Sequence, residues 1–454
     1  MTRDQLHGIL GAAGPPGPRS PVTPGHRGPV PARQHRTPAG PPGQRGPGGV
    51  GPPATDADAA VRHGSGAQSS ETTTVDGFDA VVDRKQGPDI ALLYVTATRV
   101  DDRPAFSLRL RWGDREFVAD QEIHLRRQRP LPAQLTLPAI VKAQEGFDGS
   151  YWRDTFVALR QWWIGQQYLM RWLREMMETN ERPHLVVWDN TPFEIPWELA
   201  YSTAPAHTGW IGTFLTVSRW MSVLDGRDPE EYSAERRSVD GRLMVLHDPD
   251  FDNEANGFAK FEVSRRFKVM EELLGYLDER DVERFGTLLI RCHGTMGAEP
   301  ATTTLGGLAM HRLDDYTGRA IREFGPLVIL NACVSARTVF PTDNDGVVAH
   351  SFTEHFLRYG AAGVVSVVGE VDKLQSHDFV ITLLNLSAKD DVALARQLQR
   401  HRQAYTAPLP QSSGGQSKED EQTYRRFFHA HLFQYYGHPY TVLRTRRRPA
   451  GDAP

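Results

Sequence analysis

Between Gly77 and Pro138 apolar and polar positions alternate in three short runs, ALLYVTATRV, AFSLRLRWG and REFVADQEIHL, separated by DDRP and GD turn signals. A period of two predicts strands, and the short turns make the segment a small antiparallel β unit. From Tyr151 the period becomes helical. Trp152, Phe156, Leu159, Trp163, Met170, Leu173 and Met177 fall three, four or seven apart and make one broad apolar face. Trp162, Trp163 and Trp172 widen that face with no repeating polar anchor among them, so core packing rather than a cofactor box is expected.

Beyond this helix, apolar runs alternate with helical segments: HLVVW (184–188), RLMVLHD (242–248), TLLIRCH (287–293), PLVILNAC (326–333) and AGVVSVVG (362–369). Runs of this kind, with helices such as Val263–Leu277, Leu374–Leu386 and Val392–Tyr405 between or after them, predict an α/β fold with a mostly parallel sheet flanked by helices. QSSGGQSKEDE (411–421) reads as a linker, and a last apolar segment runs from Phe427 to Val442. No repeat of solenoid length occurs. In a parallel sheet of this type the chemistry is expected at the C-terminal ends of the strands.

Composition divides the chain further. Residues 1–75 hold 13 of the 32 prolines, and no aromatic residue precedes Phe78. Such a stretch cannot bury enough surface to offset chain entropy, so a disordered N-terminal arm is expected. Glycine does not recur at every third position there, which excludes a collagen helix. The expected organisation is an arm (1–75), the β unit (76–148), an α/β domain (149–446) and a tail (447–454). A net charge of -4 with a pI near 6.5 builds no field for nucleic acid or an anionic membrane. The longest apolar runs fall short of the roughly 20 residues that span a bilayer, and MTRDQLHGILGAAG lacks a secretory apolar core. A cytoplasmic protein without membrane contact is expected.

Two cysteines in 454 residues supply neither a disulfide framework nor a four-thiolate metal site. Both close apolar runs. A thiol attacks as thiolate and needs a base beside it, which an imidazole supplies. His293 and Cys333, at the ends of two predicted strands, meet that need if the strands are neighbours. Cys292, one residue before His293 on a strand, points to the opposite face and reads as a small buried hydrophobe. Gly294 allows close backbone approach, so its N–H and that of Cys333 are candidates for an oxyanion hole. The histidine precedes the cysteine by 40 residues (333 minus 293), the order and approximate spacing of caspases.

CHG (292–294), LVILNACVSA (327–336), GAAGVVSVVGEVD (360–372), FEIPWELAY (193–201) and the closing FFHAHLFQYYGHPYTVLR (427–444) together resemble the CHAT family of caspase-like cysteine peptidases, relatives of caspases and separase. The resemblance covers about residues 150 to 445. It implies a caspase-like fold, a His293–Cys333 dyad, an oxyanion hole at Gly294 and Cys333, and no metal or other cofactor. It also implies protein substrates, an activating partner protein, and a role as effector in a bacterial stress or defence pathway. Where many relatives carry Trp-Pro before Val-Asp, this chain has Gly369 and Glu370. In folds of the family it resembles that loop borders the pocket for the residue preceding the cut, so the resemblance makes Glu370 and Asp372 candidates for an acidic pocket that takes Lys or Arg.

Other residues carry plainer expectations. His350 and His355, five apart, share no helical face and lack an HExxH context, which predicts helix-surface histidines rather than metal ligands. Asp189, Asp248 and Asp250 follow strands and are either cleft residues or turn and cap residues, the latter favoured. RTRRR (444–448) reads as a solvated tail. No GxSxG, GxxxxGK[ST] or GxGxxG occurs. Two functions remain open: an endopeptidase, and a non-catalytic interaction or scaffold module of the same fold.

Overall fold

The computed structural model describes residues 89–448 apart from 101–102, 113–114, 119–134, 143–149, 180–182, 190, 192, 205–206, 222–237, 340–349, 390, 408 and 410–417. Residues 1–75, expected as an arm, lie outside the described residues, as do 411–417 of the linker-like stretch and 449–454 of the tail.

Eleven strands form one sheet: β1 (Ile90–Val100), β2 (Arg103–Trp112), β3 (Arg115–Val118), β4 (His184–Asp189), β5 (Thr216–Trp220), β6 (Leu243–His247), β7 (Val263–Phe267), β8 (Thr287–Arg291), β9 (Leu327–Asn331), β10 (Gly363–Val367) and β11 (Phe433–Gly437). Their order is β7-β6-β8-β9-β10-β11-β5-β4-β1-β2-β3. Pairing is parallel from β7 to β10 and from β11 to β1, antiparallel between β10 and β11 and along β1-β2-β3. The fold is α/β with a mostly parallel sheet, as the apolar runs predict. The antiparallel unit is joined to that sheet, because Ile90–Val95 pairs with His184–Asp189. Every residue of β4 through Trp188 and of β8, β9 and β10 is buried, which is why these strands read as continuous apolar runs rather than alternating ones.

The helical stripe makes two helices, α1 (Ser150–Gly165) and α2 (Gln167–Thr179), broken where the Gln166 N–H turns back to the Trp163 carbonyl. Leu159, Trp163, Leu169, Leu173 and Met176 are fully buried, and Trp163 meets Trp197 at a ring distance of 5.7 Å, so the tryptophans are core. Further along the chain lie α3 (Met270–Leu277), α4 (Phe352–Arg358), α5 (Lys373–Ser387), α6 (Leu394–Thr406) and α7 (Lys418–Leu432).

Two expectations are corrected. The helix expected over Val263–Leu277 is an edge strand, β7, followed by a helix that starts only at Met270. VSRRF opens with a β-branched residue and stays extended against β6 while Arg265 and Arg266 face solvent. RTRRR is no free tail either: Val442–Thr445 pairs with Ser238–Gly241, Arg444 is bidentate on Asp391, and Arg446 pairs with Asp240. Among the described residues no helix is long and apolar enough to cross a membrane.

Candidate active site

β8 and β9 are parallel neighbours in the register Arg291↔Asn331. Two residues past that pair on each strand, His293 and Cys333 occupy adjacent loops at one rim of the sheet. The loops touch closely. A Cβ added at Gly294 would sit 2.1 Å from the Cys333 carbonyl oxygen, so only glycine fits there.

The Cys333 loop is tied to the next strand at several points. Val334 N–H donates to the Gly369 carbonyl (3.0 Å) and Ala336 N–H to the Val367 carbonyl (2.8 Å). Ser335 Oγ donates to the Leu330 carbonyl and accepts from Val367 N–H. These bonds hold Val334 at φ 53°, a left-handed conformation rare for a β-branched residue. Strain of this kind beside a half-exposed thiol is a mark of functional sites. The Cys333 thiol pKa is raised above its ordinary value by burial and by the Glu370 carboxylate, against a backbone hydrogen bond with Val371. Cys292 is buried, as expected, and burial together with Asp248 pushes its thiol up as well.

His293 is largely exposed. Its Nε2 lies 3.3 Å from Asp250 Oδ2 and its ring rests on Phe251, 4.9 Å between centroids. Among the described residues it makes no hydrogen bond to Cys333.

Cys333, Gly294 and Glu370 line one cleft of about 770 Å³, which also runs past Val334, Arg337, Glu194, Asp189 and Tyr436. The structure thus brings Glu370 to the thiol and leaves Asp372 outside the lining. Asp372 is the N-cap of α5, its Oδ1 accepting from the N–H groups of Leu374 and Gln375, each at 3.0 Å. Of the other aspartates, Asp248 is a turn residue that accepts from Asp250 N–H. Asp189 is both: its Oδ1 accepts from Thr191 and its Oδ2 from Trp197 Nε1 at 2.7 Å, while it also lines the cleft. Burial raises its pKa.

Sequence reasoning assigns no role to Glu194, Arg337 or Arg219. The first two form an ion pair on the cleft wall, and Arg219 is bidentate on the buried Glu198. The only available signal was the segment FEIPWELAY, which contains Glu194 and Glu198.

His350 and His355 depart from the surface reading. His350 precedes α4 in a bridge with Val339, so helical spacing does not govern the pair, and the two rings stack at 6.4 Å. His355 and Glu354 are fully buried. The ligand atoms of His350, Glu354 and His355 lie within 4.8 Å of one another. A cation already fills the place: Arg358 donates to His355 Nδ1 and to Asp314 (2.6 Å) and pairs with Glu354 (3.3 Å). Burial and Arg358 hold His355 down at about 3.

No protein-family model matches the sequence, and no curated protein is similar to it. Two solved structures of the Saccharomyces cerevisiae separase–securin complex are similar to the chain, at 2.6 and 3.0 Å resolution. Each is 14% identical with a TM-score of 0.35 over 58% of this chain. The chain spans only 17% and 16% of the chains it matches in them.

Proposed function

We propose that the chain is a caspase-like cysteine endopeptidase of CHAT type, with Cys333 as nucleophile and His293 as general base. The observation that supports this reading is the β8/β9 register, which puts His293 and Cys333 each two residues past a paired position on neighbouring strands, with Cys333, Gly294 and Glu370 among the residues that line one cleft. His293 takes the Cys333 proton, the thiolate attacks a peptide carbonyl, and the N–H groups of Gly294 and Cys333 hold the oxyanion. The C–N bond then breaks with the proton passing from His293 to the leaving amine, and water hydrolyses the thioester.

The raised thiol pKa and the imidazole's position on Asp250 describe a resting state. An activating partner protein that turns His293 to the thiol fits that state, as does the effector role implied by the family resemblance. The Glu370 carboxylate beside Cys333 favours a Lys or Arg before the cut. Asp372 takes part only if its cap is released.

A thiol-reactive probe and a pooled peptide library, offered to the wild type, Cys333→Ala and His293→Ala, test the assignment. Cleavage and labelling present only in the wild type are expected; equal cleavage by all three sinks it. Glu370→Ala is expected to erase any preference for basic residues. The scaffold reading is favoured by one observation, the missing His293–Cys333 hydrogen bond. It gains if no added partner elicits cleavage.

A further inference from the structure

We infer that Ser335 is a positioning residue for Cys333: its buried hydroxyl bridges β9 and β10 where their ladder ends, and so holds the strained turn from which the thiol enters the cleft. The consequence for turnover rests on the peptidase reading; the effect on the thiol does not.

β9 and β10 pair directly as far as Ile329↔Val365. Val368 N–H donates to the Leu432 carbonyl (3.1 Å), on the β11 side, so by the alternation of a strand the Val367 N–H faces β9. A regular parallel ladder would continue with a bond from that N–H to the Leu330 carbonyl. Ser335 Oγ stands between the two groups instead, accepting from Val367 N–H at 3.0 Å and donating to the Leu330 carbonyl at 3.2 Å. The Val367 carbonyl is taken by the same loop, through Ala336 N–H at 2.8 Å. The segment that follows Cys333 has therefore replaced β9 as the partner of Val367, and the strands part where the cysteine leaves the sheet.

That place demands a group that donates and accepts at once, and a hydroxyl does both with a single atom beyond Cβ. Ser335 is fully buried, so bulk water does not stand in for it. Alanine would leave the Val367 N–H and the Leu330 carbonyl without a partner in the core, a state that backbone avoids by moving. The residue between Cys333 and Ser335 is Val334, at φ 53°, which a β-branched residue keeps only under constraint. Its N–H is held by the Gly369 carbonyl at 3.0 Å. The bonds of Val334 and Ala336 are made by backbone and survive any side chain; those of the Ser335 hydroxyl do not. The Ser335 carbonyl is backed in turn by α4, where Thr353 Oγ1 lies 3.4 Å from it and 2.8 Å from Ser366 Oγ.

The test uses the full chain with any partner needed for Cys333-dependent cleavage. Ser335→Ala is expected to lower kcat by roughly 10- to 100-fold, the cost of a displaced reacting group, with KM within about twofold. Alkylation of Cys333 is expected to move the other way. A loosened turn opens the thiol to water and relieves the burial that holds it protonated, so the midpoint of its pH profile falls by about half a unit. A thiol that ionises more easily yet turns over more slowly separates positioning from a general loss of structure. Adding Val334→Gly to Ser335→Ala is expected to raise kcat several-fold again, because glycine takes a positive φ without strain. An unchanged kcat or an unchanged midpoint overturns the inference, and so does a loss that Val334→Gly leaves untouched. Should Ser335→Ala fail to fold, Val334→Gly/Ser335→Ala is compared with Val334→Gly: the same two shifts, smaller, are expected, and their absence overturns it. If nothing is cleaved through Cys333 in any protein, the peptidase reading falls. The alkylation midpoint then decides the role of Ser335 alone: a fall supports it, identical profiles overturn it.

Discussion

Glu194 and Arg337 meet carboxylate to guanidinium on the cleft wall, and each is bound to a left-handed residue. Glu194 itself has φ 48°, while Arg337 N–H closes the turn begun by Val334 at φ 53°. Among the described residues these two are the only non-glycines at positive φ. A left-handed L-residue costs roughly 1–2 kcal/mol and persists where its surroundings over-determine it. The pair is only 30% and 21% exposed, so it is one such determinant. Arg337→Ala and Glu194→Ala should each lower stability by about 1 kcal/mol, and a double-mutant cycle in urea should return a coupling of about 0.5–2 kcal/mol. Strict additivity would mean that the ion pair does not join the two turns.

Gly294→Ala follows from the 2.1 Å approach to the Cys333 carbonyl. The obstacle is backbone, which cannot swing aside as a flexible side chain would. Overpacking here should cost about 1–3 kcal/mol and displace the Cys333 loop. Thermal unfolding together with Cys333 labelling measures both. A variant as stable and as reactive as the wild type would show that the loops part freely.

The two thiols should differ in access. Cys292 is 2% exposed, whereas Cys333 opens on the cleft. Alkylation followed by mass spectrometry should modify Cys333 in the folded protein, faster as pH rises because its thiol is held protonated, and Cys292 only in denaturant. Equal native labelling of both contradicts the strand assignment of Cys292.

Legibility followed burial. β8 and β9 were readable because both faces are covered and apolar runs mark such strands directly. From them came His293, Cys333 and the inward Cys292. β7 was misread because an edge strand with Arg265 and Arg266 outside carries no such run. Asp372 caps α5, and a capping carboxylate and a pocket carboxylate look alike in a sequence until the first turn of α5 is placed. His350 lies outside the helix, in a bridge with Val339, so helical spacing along the chain does not describe its contact with His355.

Glu198 shows the same limit inside the core. It sits in a single turn, Trp197–Leu199, yet meets Arg219 of β5 at 2.7 Å and Arg402 of α6 at 3.7 Å, all three fully or nearly fully buried. Burial alone would raise its pKa. The two guanidiniums override that and hold it down at about 2, from an ordinary 4.5. A depressed carboxylate contributes stability that is complete above its unfolded value and lost as pH falls through the folded one. The wild type should therefore lose stability between about pH 4.5 and 2 through this group. Glu198→Gln leaves two buried cations without their anion and should cost about 3–5 kcal/mol at neutral pH, with a flatter acid limb. Unfolding temperatures of both proteins from pH 7 to pH 2 check this. Two parallel curves would mean that Arg219 and Arg402 find their counter-charge elsewhere, with Asp189 the first residue to substitute next.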